Sequence, residues 1–169
     1  AEMVAIARSN GVNANYGNIV TSLEKTLLGQ FDAGLILWNV LGHINAQQRQ
    51  NALQNAYDSL TTGGLLFIDV NNMFNAAQYG RENAIRNREA VERQPANTAV
   101  GDFQASTTVG EVKLETVTHI FHTQEITELL SRAGFIIKSI EYLNYESGET
   151  VNEDAGQIFI IAQKPAEVA

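Results

Sequence analysis

The sequence of 169 residues contains no cysteine, which excludes disulfide bonds, thiolate metal sites and cysteine nucleophiles. It is also poor in positive charge, because 11 lysines and arginines stand against 19 aspartates and glutamates. The resulting net charge of −8 makes nucleic acid and anionic membrane surfaces poor partners. No apolar run is long enough to span a bilayer, and no secretory leader pattern is present. We therefore expect a cytoplasmic domain whose partners include neither nucleic acid nor membrane.

Familiar phosphate-binding and nucleophile motifs are absent as well. The sequence has no GxGxxG run, no Walker loop and no GxSxG elbow. Its three histidines, His43, His119 and His122, occur at no spacing typical of a metal site, so we predict no metal. What remains is an ordinary globular composition, 44% hydrophobic and 18% charged, in a length that suits one domain. Nothing in it sets an oligomeric state.

The first 20 residues predict a helix and then a short strand. Apolar residues recur on one side of residues 1–10, and Gly11 suits the end of that helix. The next segment, VNANYGNI, alternates weakly and predicts an exposed strand that ends at Gly17. Because no capping residue precedes the first helix, we expect the sequence to begin inside an element of a longer protein.

Two apolar segments predict strands that are buried on both faces of a parallel sheet. They are FDAGLILW, residues 31–38, and LLFIDV, residues 65–70. Between them, apolar residues at spacings of three and four predict a helix that ends at Gly63 and Gly64. Alternating strands and helices of this kind are typical of an α/β fold with a largely parallel sheet.

The second half of the chain has a different texture. Residues 72–118 are first polar and partly helical, and then alternate in a pattern that predicts antiparallel strands joined near Gly110. The segment TQEITELLSRAGF predicts a helix with Thr123 as its N-cap and Gly134 at its end. Two further strands, FIIKSIEYL and QIFIIAQK, have no helix between them. We therefore expect them to form an antiparallel hairpin at the edge of the sheet.

Polar residues follow each of the predicted parallel strands. In open α/β sheets ligands bind beyond the carboxyl ends of the strands, so residues at those positions are candidates before any motif is considered. These candidates are Gly17, Asn18, Ile19, Trp38, Asn39, His43, Asp69, Asn71 and Asn72.

Several of these candidates also have a purely structural interpretation. Asn39 is a favoured helix cap, and a lone histidine such as His43 can simply pack against the sheet. Asn71 and Asn72 together are a common turn signal. Asp69 is harder to explain in this way, because a carboxylate inside an apolar strand costs several kcal/mol unless it is paired or hydrogen-bonded. We therefore expect a partner close to Asp69.

Taken in order, these segments resemble the class I S-adenosylmethionine-dependent methyltransferases. FDAGLILWNVLGHI, then a helix and SLTTGGLLFIDVNN, is similar to the fourth and fifth strand regions of that family. FHTQEITELLSRAGFIIKSIE is similar to its late helix and sixth strand, and QIFIIAQKP to its antiparallel last strand. AEMVAIAR resembles the helix after its second strand. The resemblance covers the whole chain apart from the polar insertion.

The resemblance implies a Rossmann-like α/β fold: a mostly parallel sheet with helices on both faces and an antiparallel final strand. Residues 1–169 would form a single methyltransferase-like domain without the family's N-terminal strands, and residues 72–118 would be a cap over the substrate. The family's Gly-rich cofactor loop would lie upstream of Ala1. Without the upstream strands, residues 31–38 would lose their central neighbour and expose a long apolar edge.

The resemblance also implies S-adenosylmethionine as cofactor. Gly17, Asn18 and Ile19 would lie beside its adenine, with the Asn18 amide oxygen accepting a hydrogen bond from the adenine amino group. Trp38 and Asn39 would lie where the backbone passes the methionine part of the cofactor.

The implied reaction is in-line attack by a nitrogen, oxygen or carbon of a small-molecule acceptor on the sulfonium methyl group. The protein mainly has to align the two reactants, and no metal is needed. His43 or His119 would be the general base where the acceptor loses a proton. Asn72 and Tyr79 would contact the acceptor.

Two other classes of function stay open. A degenerate methyltransferase fold can serve as a non-catalytic binding module or subunit, and the absence of the cofactor loop from these 169 residues favours that alternative. An NAD-dependent oxidoreductase is less favoured, because the predicted final strand pair does not suit the strand order of that fold. Preference for S-adenosylmethionine or for NAD distinguishes the two enzymes.

Overall fold

The computed structural model describes residues 2–94, 99–110 and 112–166, without the side chains of Ala105, Thr107 and Val109. Short 3-10 turns cover Lys25–Leu27 and Val40–His43. The helices are α1 (Glu2–Ser9), α2 (Ala46–Ser59), α3 (Ala76–Tyr79), α4 (Arg81–Arg93) and α5 (Thr123–Arg132). The strands are β1 (Phe31–Ile36), β2 (Leu60–Val70), β3 (Asp102–Val109), β4 (Val112–His119), β5 (Ile136–Leu143), β6 (Thr150–Val151) and β7 (Gln157–Gln163).

The described strands form a five-stranded open sheet in the order β1-β2-β7-β5-β6, and a separate β3-β4 hairpin. β1 and β2 pair in parallel, whereas β7 pairs antiparallel with both β2 and β5. β1, β2 and β5 therefore run in one direction, which confirms the predicted α/β class, with β7 as the antiparallel final strand. The expected position of the final pair is wrong in one respect, since β7 lies inside the sheet between β2 and β5 and not at its edge.

One face of this sheet carries the main core. Alternate residues of β2 and β7 on that face are buried, and α2 and α5 supply the apolar residues that cover them. Both helices have the three-and-four spacing that presents a continuous apolar stripe to a sheet. On the opposite face of the sheet, Phe67, Phe159 and Ile161 are only half-buried.

β1 lies at the open edge of the sheet. The prediction that this strand is buried on both faces is wrong, because Leu35 is 68% exposed and Phe31 is 46% exposed. The apolar composition of β1 is typical of a strand in the interior of a sheet, whereas in the described structure only β2 pairs with it. The expected long apolar edge is present, with unpaired backbone groups along one side of the strand.

Residues 72–118 contain α3, α4 and the β3-β4 hairpin, all of which lie outside the five-stranded sheet. The predicted antiparallel pair is confirmed, and Gly110 (φ 62°) lies in the turn between its strands. Arg88 ties α4 to the main domain, with its guanidinium 2.8 Å from Glu153 Oε2 and 4.2 Å from the Phe74 ring centroid. The predicted role of this insertion as a cap stays a prediction.

Three boundaries differ from the sequence-based expectations. The segment 12–18 is not a strand, because its weak alternation has no neighbouring strand to pair with. α2 ends at Ser59, and Gly63 and Gly64 lie within β2, where the pairing with β1 shifts register. Thr123 is the first residue of α5, and its N-cap is His122. Among the described helices, none is long and apolar enough to cross a membrane.

Candidate functional site

The carboxyl end of β1 turns sharply into the next 3-10 turn. Trp38 (φ 62°) and Asn39 (φ 53°) both adopt the left-handed conformation, which few residues other than glycine and asparagine adopt readily. Two such residues in succession are a strained feature of the kind that clusters at functional sites. Trp38 is 73% exposed, whereas Asn39 is buried, so the turn presents an indole ring above a buried amide.

The Asn39 side chain holds the neighbouring strand ends together. Its Nδ2 donates to the Thr118 hydroxyl (3.3 Å) and to the His119 carbonyl (3.1 Å), and its Oδ1 accepts from the Asn71 backbone N–H (3.1 Å). The side-chain amide of Asn39 is therefore used in hydrogen bonds within the protein. It is not the helix cap of α2, since Asn45 takes that position and accepts from the Gln47 N–H.

Asp69, near the carboxyl end of β2, is 8% exposed and has the partners that its burial required. Its Oδ1 accepts from the Asn39 backbone N–H (3.0 Å) and from the Tyr145 hydroxyl (2.7 Å). Burial, together with the Asp69 carboxylate, raises the pKa of Tyr145, so this phenol stays protonated and keeps donating. The strand ends of β1 and β2 and the loop after β5 thus meet at one carboxylate.

Trp38 and Tyr145 form an exposed aromatic pair above Asp69. Their ring centroids are 5.4 Å apart and their planes are inclined at 54°. Tyr145 also lines a pocket of about 370 Å³, together with Asn75, Gln78, Asn144, Glu146 and Gln157 among others. This size falls in the range of small-molecule sites, and the lining is rich in amide groups.

Tyr79, predicted to contact the acceptor, ends α3 with its hydroxyl buried. Among the described residues this hydroxyl has no hydrogen-bond partner. Burial raises the pKa of Tyr79 to about 12. A buried polar atom without a partner is a group that a ligand can satisfy.

We expect Tyr79→Phe to raise the free energy of unfolding by about 1 kcal/mol, because the variant removes a hydroxyl whose burial is not compensated. Urea denaturation measures the change. Tyr142→Phe is the matched control, since its hydroxyl contacts Thr123 Oγ1 (2.8 Å) and Glu153 Oε1 (3.1 Å), and its loss should destabilise the protein. Equal destabilisation by both variants would contradict the prediction.

Asn72, the other predicted acceptor residue, is fully buried and structural in this arrangement. Its Nδ2 donates to the carbonyls of Glu153 (2.7 Å) and Gly156 (2.9 Å), and its Oδ1 accepts from the Phe74 N–H (2.9 Å). The whole amide is therefore used in joining the end of β2 to the start of β7. The geometry does not support direct contact between this side chain and a substrate.

His119, predicted as a general base, is itself buried and lies at the centre of a cluster of charged side chains, of which Asp102 is 36% exposed. Its Nδ1 is 2.7 Å from Asp102 Oδ1, and its Nε2 is 3.0 Å from Glu125 Oε1. Arg49, which is 4% exposed, lies beside both carboxylates. Its Nη2 is 3.5 Å from Asp102 Oδ1, and its Nη1 is 4.0 Å from Glu125 Oε1. Contacts with two carboxylates occupy both ring nitrogens, so neither is open to a substrate, which argues against His119 as a base.

His122 stacks on Phe74, with ring centroids 6.2 Å apart. Its pKa is lowered by burial, with a smaller lowering from His119, although Glu125 and Glu128 act in the opposite direction. The unfolded chain therefore binds a proton at this residue more readily than the folded protein does.

We expect the free energy of unfolding to fall as the pH drops through the ordinary histidine pKa near 6.5, because protonation of His122 favours the unfolded chain. Urea denaturation between pH 8 and pH 5 measures this slope. His122→Gln should show a shallower slope over the same window. An unchanged slope in the variant would assign the pH dependence to other groups.

His43, the other predicted base, is exposed at the end of the 3-10 turn after β1. It lines a cleft of about 450 Å³ between that turn, the start of α2 and the base of the hairpin. Arg49 and Asp102 line the same cleft. His43 is thus reachable from solvent, but this cleft shares no lining residue with the pocket beside Tyr145.

The predicted adenine residues lie in an irregular segment. Gly17 and Asn18 are exposed, and the Asn18 Oδ1 accepts from the Val20 N–H (3.1 Å). Ile19 packs on the main core, and its carbonyl accepts from the Asn55 side chain of α2 (2.7 Å). Within the described structure these residues form no hydrogen bond with Trp38 or Asn39. Ile19 and the end of β1 are nevertheless neighbours, because Ile19 and Ile36 line the same pocket.

Tyr145 is the site residue that the sequence did not suggest. It follows the end of β5, and since β5 runs parallel to β2, the strand-end rule applied to β5 would have indicated it. Arg49, Asp102 and Glu125 were missed for a different reason. They are distant in sequence from His119 or from one another, and no local pattern relates them.

The chain was compared with known proteins at three levels. No protein-family model matches it, and no curated protein matches it. Many solved structures do, and those named here are methyltransferases of low sequence identity. A SAM-dependent methyltransferase from Methanosarcina mazei has a TM-score of 0.66 at 20% identity, covering 99% of this chain and 79% of its own.

Two further structures are similar over nearly all of this chain. A SAM-dependent methyltransferase from Thermotoga maritima, described as a possible histamine N-methyltransferase, has a TM-score of 0.61 at 20% identity and covers 96% of this chain and 69% of its own. A 1,6-didemethyltoxoflavin-N1-methyltransferase from Burkholderia thailandensis has a TM-score of 0.57 at 15% identity, and the match covers 97% of this chain and 56% of that enzyme. The resemblance found in the sequence is confirmed at the level of structure: the chain has the Rossmann-like α/β fold of the SAM-dependent methyltransferases.

Proposed function

We propose that this protein is an S-adenosylmethionine-dependent methyltransferase that transfers a methyl group to a small-molecule acceptor. The observation that carries the proposal is the strained Trp38-Asn39 turn, which lies at the carboxyl end of β1 in a fold shared with methyltransferases. This is the edge of the sheet at which α/β proteins bind their ligands. The Tyr145 pocket and the Trp38 ring lie at the same edge.

The residues predicted to hold the cofactor fit that role in part. The backbone of Trp38 can contact the methionine part. The Asn39 N–H and carbonyl are held by Asp69 and Gly42, and the Asn39 side chain is committed to the fold as well. Asn18 Oδ1 already accepts one hydrogen bond and keeps a second lone pair for the adenine amino group. When bound, S-adenosylmethionine supplies a methyl group that a positively charged sulfur has activated.

The acceptor side of the proposed site is a polar pocket with Tyr145 as an aromatic residue in its lining. Tyr79, predicted to contact the acceptor, contributes a buried hydroxyl without a partner among the described residues. Two of the similar structures are described as N-methyltransferases of small molecules, one of them as a possible histamine enzyme. These neighbours favour a small acceptor, and the net charge of −8 disfavours a nucleic acid or a membrane surface. A cytoplasmic location, predicted from the sequence, is part of the same proposal.

Of the two predicted bases, His43 is accessible and His119 is enclosed by carboxylates. Under this proposal the protein acts chiefly by aligning acceptor and cofactor, which can supply a large part of the rate enhancement. His119 then serves as a positioning residue that fixes the base of the hairpin against α5.

Calorimetric titration of the longest native form with S-adenosylhomocysteine, alongside NADH, tests the proposal. We expect binding of S-adenosylhomocysteine in the micromolar range and no binding of NADH. Trp38→Ala should weaken the first interaction, whereas Glu82→Gln, an exposed change on α4, should not. Binding of NADH alone would indicate an oxidoreductase. Binding of neither ligand would favour the non-catalytic module.

A further inference from the structure

We propose that the acceptor is a nitrogen compound, an amine or a related base, and that the Asp69 carboxylate recognises its nitrogen beneath the Trp38-Tyr145 pair. This inference rests on the proposed function and specifies the acceptor side of the same site. It is carried by three independent features of the structure: an incompletely used buried carboxylate, an exposed aromatic pair and an unpartnered hydroxyl.

The first feature is the charge of Asp69. Asp69 is buried, with only 8% of its surface exposed, yet it forms no ion pair with any lysine or arginine among the described residues. Its Oδ1 takes two donors, whereas within that part of the chain Oδ2 has no hydrogen-bond partner. A carboxylate removed from water is stabilised by a cation or by further donors. In this proposal a nitrogen of the ligand supplies the missing positive charge or hydrogen-bond donor at Oδ2.

The second feature is the pair of aromatic rings beside this carboxylate. Trp38 and Tyr145, at a centroid distance of 5.4 Å, are 73% and 38% exposed. Indole and phenol faces attract ammonium groups, most strongly where the cation loses part of its hydration. An anionic acceptor would meet repulsion here from Asp69, and from Glu146 on the wall of the adjoining pocket.

The third feature is the Tyr79 hydroxyl, which has no partner in the described structure and lies close enough to Tyr145 to affect its pKa. It can donate to, or accept from, a polar group on the body of the acceptor. The pocket of about 370 Å³ beside Tyr145 limits the acceptor to a small molecule.

A metal ion fits these features less well than an organic cation. No group of three or more histidine, aspartate or glutamate side chains in the described residues is arranged to hold a metal. A single carboxylate beside an aromatic pair offers hard cations too few oxygen ligands, whereas it suits an ammonium group.

The role of Asp69 in methyl transfer follows from the charge balance. An acceptor bound as an ammonium ion first gives one proton to Asp69 Oδ2, which releases it to water. The lone pair so freed forms the new C–N bond, while the C–S bond breaks and its electron pair stays on sulfur. Positive charge therefore passes from sulfur to nitrogen, and a fixed carboxylate beside that nitrogen stabilises the charge as it develops. This assignment moves the proton-accepting role from His43 to Asp69.

Phenethylamine and 3-phenylpropionate test the inference, since they share an apolar body and differ in charge. Calorimetry on the full-length protein should give phenethylamine at least tenfold tighter binding than 3-phenylpropionate. Asp69→Asn keeps an acceptor for the Asn39 N–H and the Tyr145 hydroxyl but removes the charge, and should weaken amine binding about tenfold. Glu82→Gln removes one charge from an exposed position of α4 and should leave amine binding unchanged.

Two further variants keep the test decisive if Asp69→Asn folds poorly. Tyr145→Phe retains the ring and should bind phenethylamine within threefold of the wild type, whereas Tyr145→Leu should lose about fivefold or more. Trp38 is the only tryptophan of the 169 residues, so a change in tryptophan fluorescence on addition of phenethylamine reports on the surroundings of the Trp38 ring.

Equal affinity for the two probes, or full amine binding by Asp69→Asn, would overturn the inference. Displacement of phenethylamine by Mg²⁺ alone would also overturn it, in favour of a metal site. Binding of S-adenosylhomocysteine is measured in the same samples. If the protein selects the amine but does not bind S-adenosylhomocysteine, the result counts against the methyltransferase proposal and not against the amine subsite.

Discussion

Replacing Asn39 with alanine is expected to lower the free energy of unfolding by about 4 kcal/mol. The variant leaves the half-buried Asn71 N–H and the buried His119 carbonyl without their partners, at about 1–3 kcal/mol each. It also holds alanine in a left-handed conformation (φ 53°) that asparagine tolerates far better. Urea denaturation followed by circular dichroism gives the value. Because Asn39 joins β1, β2 and β4, the loss should affect global stability and not one loop alone.

Asn39→Gly separates the two contributions. Glycine loses the same side-chain hydrogen bonds but accepts a φ of 53° without strain, so it should be more stable than alanine by about 1 kcal/mol. Gly42→Ala provides an independent check, since its Cβ would lie 2.4 Å from both Asn39 Nδ2 and the His119 carbonyl oxygen. Stability near that of the wild type in Asn39→Ala would show that the amide is dispensable.

Replacing Arg49 with methionine is expected to destabilise the protein by about 3 kcal/mol. Methionine keeps the length of the side chain but removes the guanidinium that lies beside both Glu125 and Asp102. Burial lowers the pKa of Arg49, and the two carboxylates oppose that effect, so the arginine depends on them as they depend on it. Breaking a buried ion pair from one side usually costs a few kcal/mol, because the remaining charge stays desolvated.

A double-mutant cycle with Glu125→Gln measures how much of this loss belongs to the charge pair. The neutral glutamine should recover part of the stability in the Arg49→Met background, with a coupling energy of about 1–2 kcal/mol. Arg93→Met is the matched control, because its pair with Glu89 lies on the exposed face of α4 and such pairs contribute under about 1 kcal/mol. If Arg49→Met and Arg93→Met lower the free energy of unfolding equally, the cluster around His119 contributes no more to stability than an exposed ion pair does.

The elements with strong periodicity were predictable from the sequence. α2 and α5 carry apolar stripes, and the central strands β2 and β7 consist of apolar runs, so packing and local preference agree. The need of Asp69 for a partner also followed from the cost of burying a carboxylate. The identity of that partner did not, because Tyr145 is 76 residues away in the chain.

Other features depended on contacts that no local pattern encodes. Residues 12–18 alternate like a strand but find no neighbour, and a strand is defined by its pairing. β1 has the composition of an inner strand and lies at an edge. The environment of His119 arises from β3, α2 and α5 together, so its enclosure by two carboxylates could not be inferred from the spacing of histidines.

The left-handed turn at Trp38 also sets what laboratory evolution can do with this protein. A bulky aromatic residue with a φ of 62° is strained, and glycine at the same position would be relaxed. Selection for heat resistance alone should therefore enrich glycine at position 38, at the expense of the ring proposed to face the ligand. Selection for turnover should retain tryptophan and compensate elsewhere, in the manner of other stability–activity trade-offs. Deep sequencing of the two selected populations would then separate the residues that hold this fold together from those that serve its chemistry.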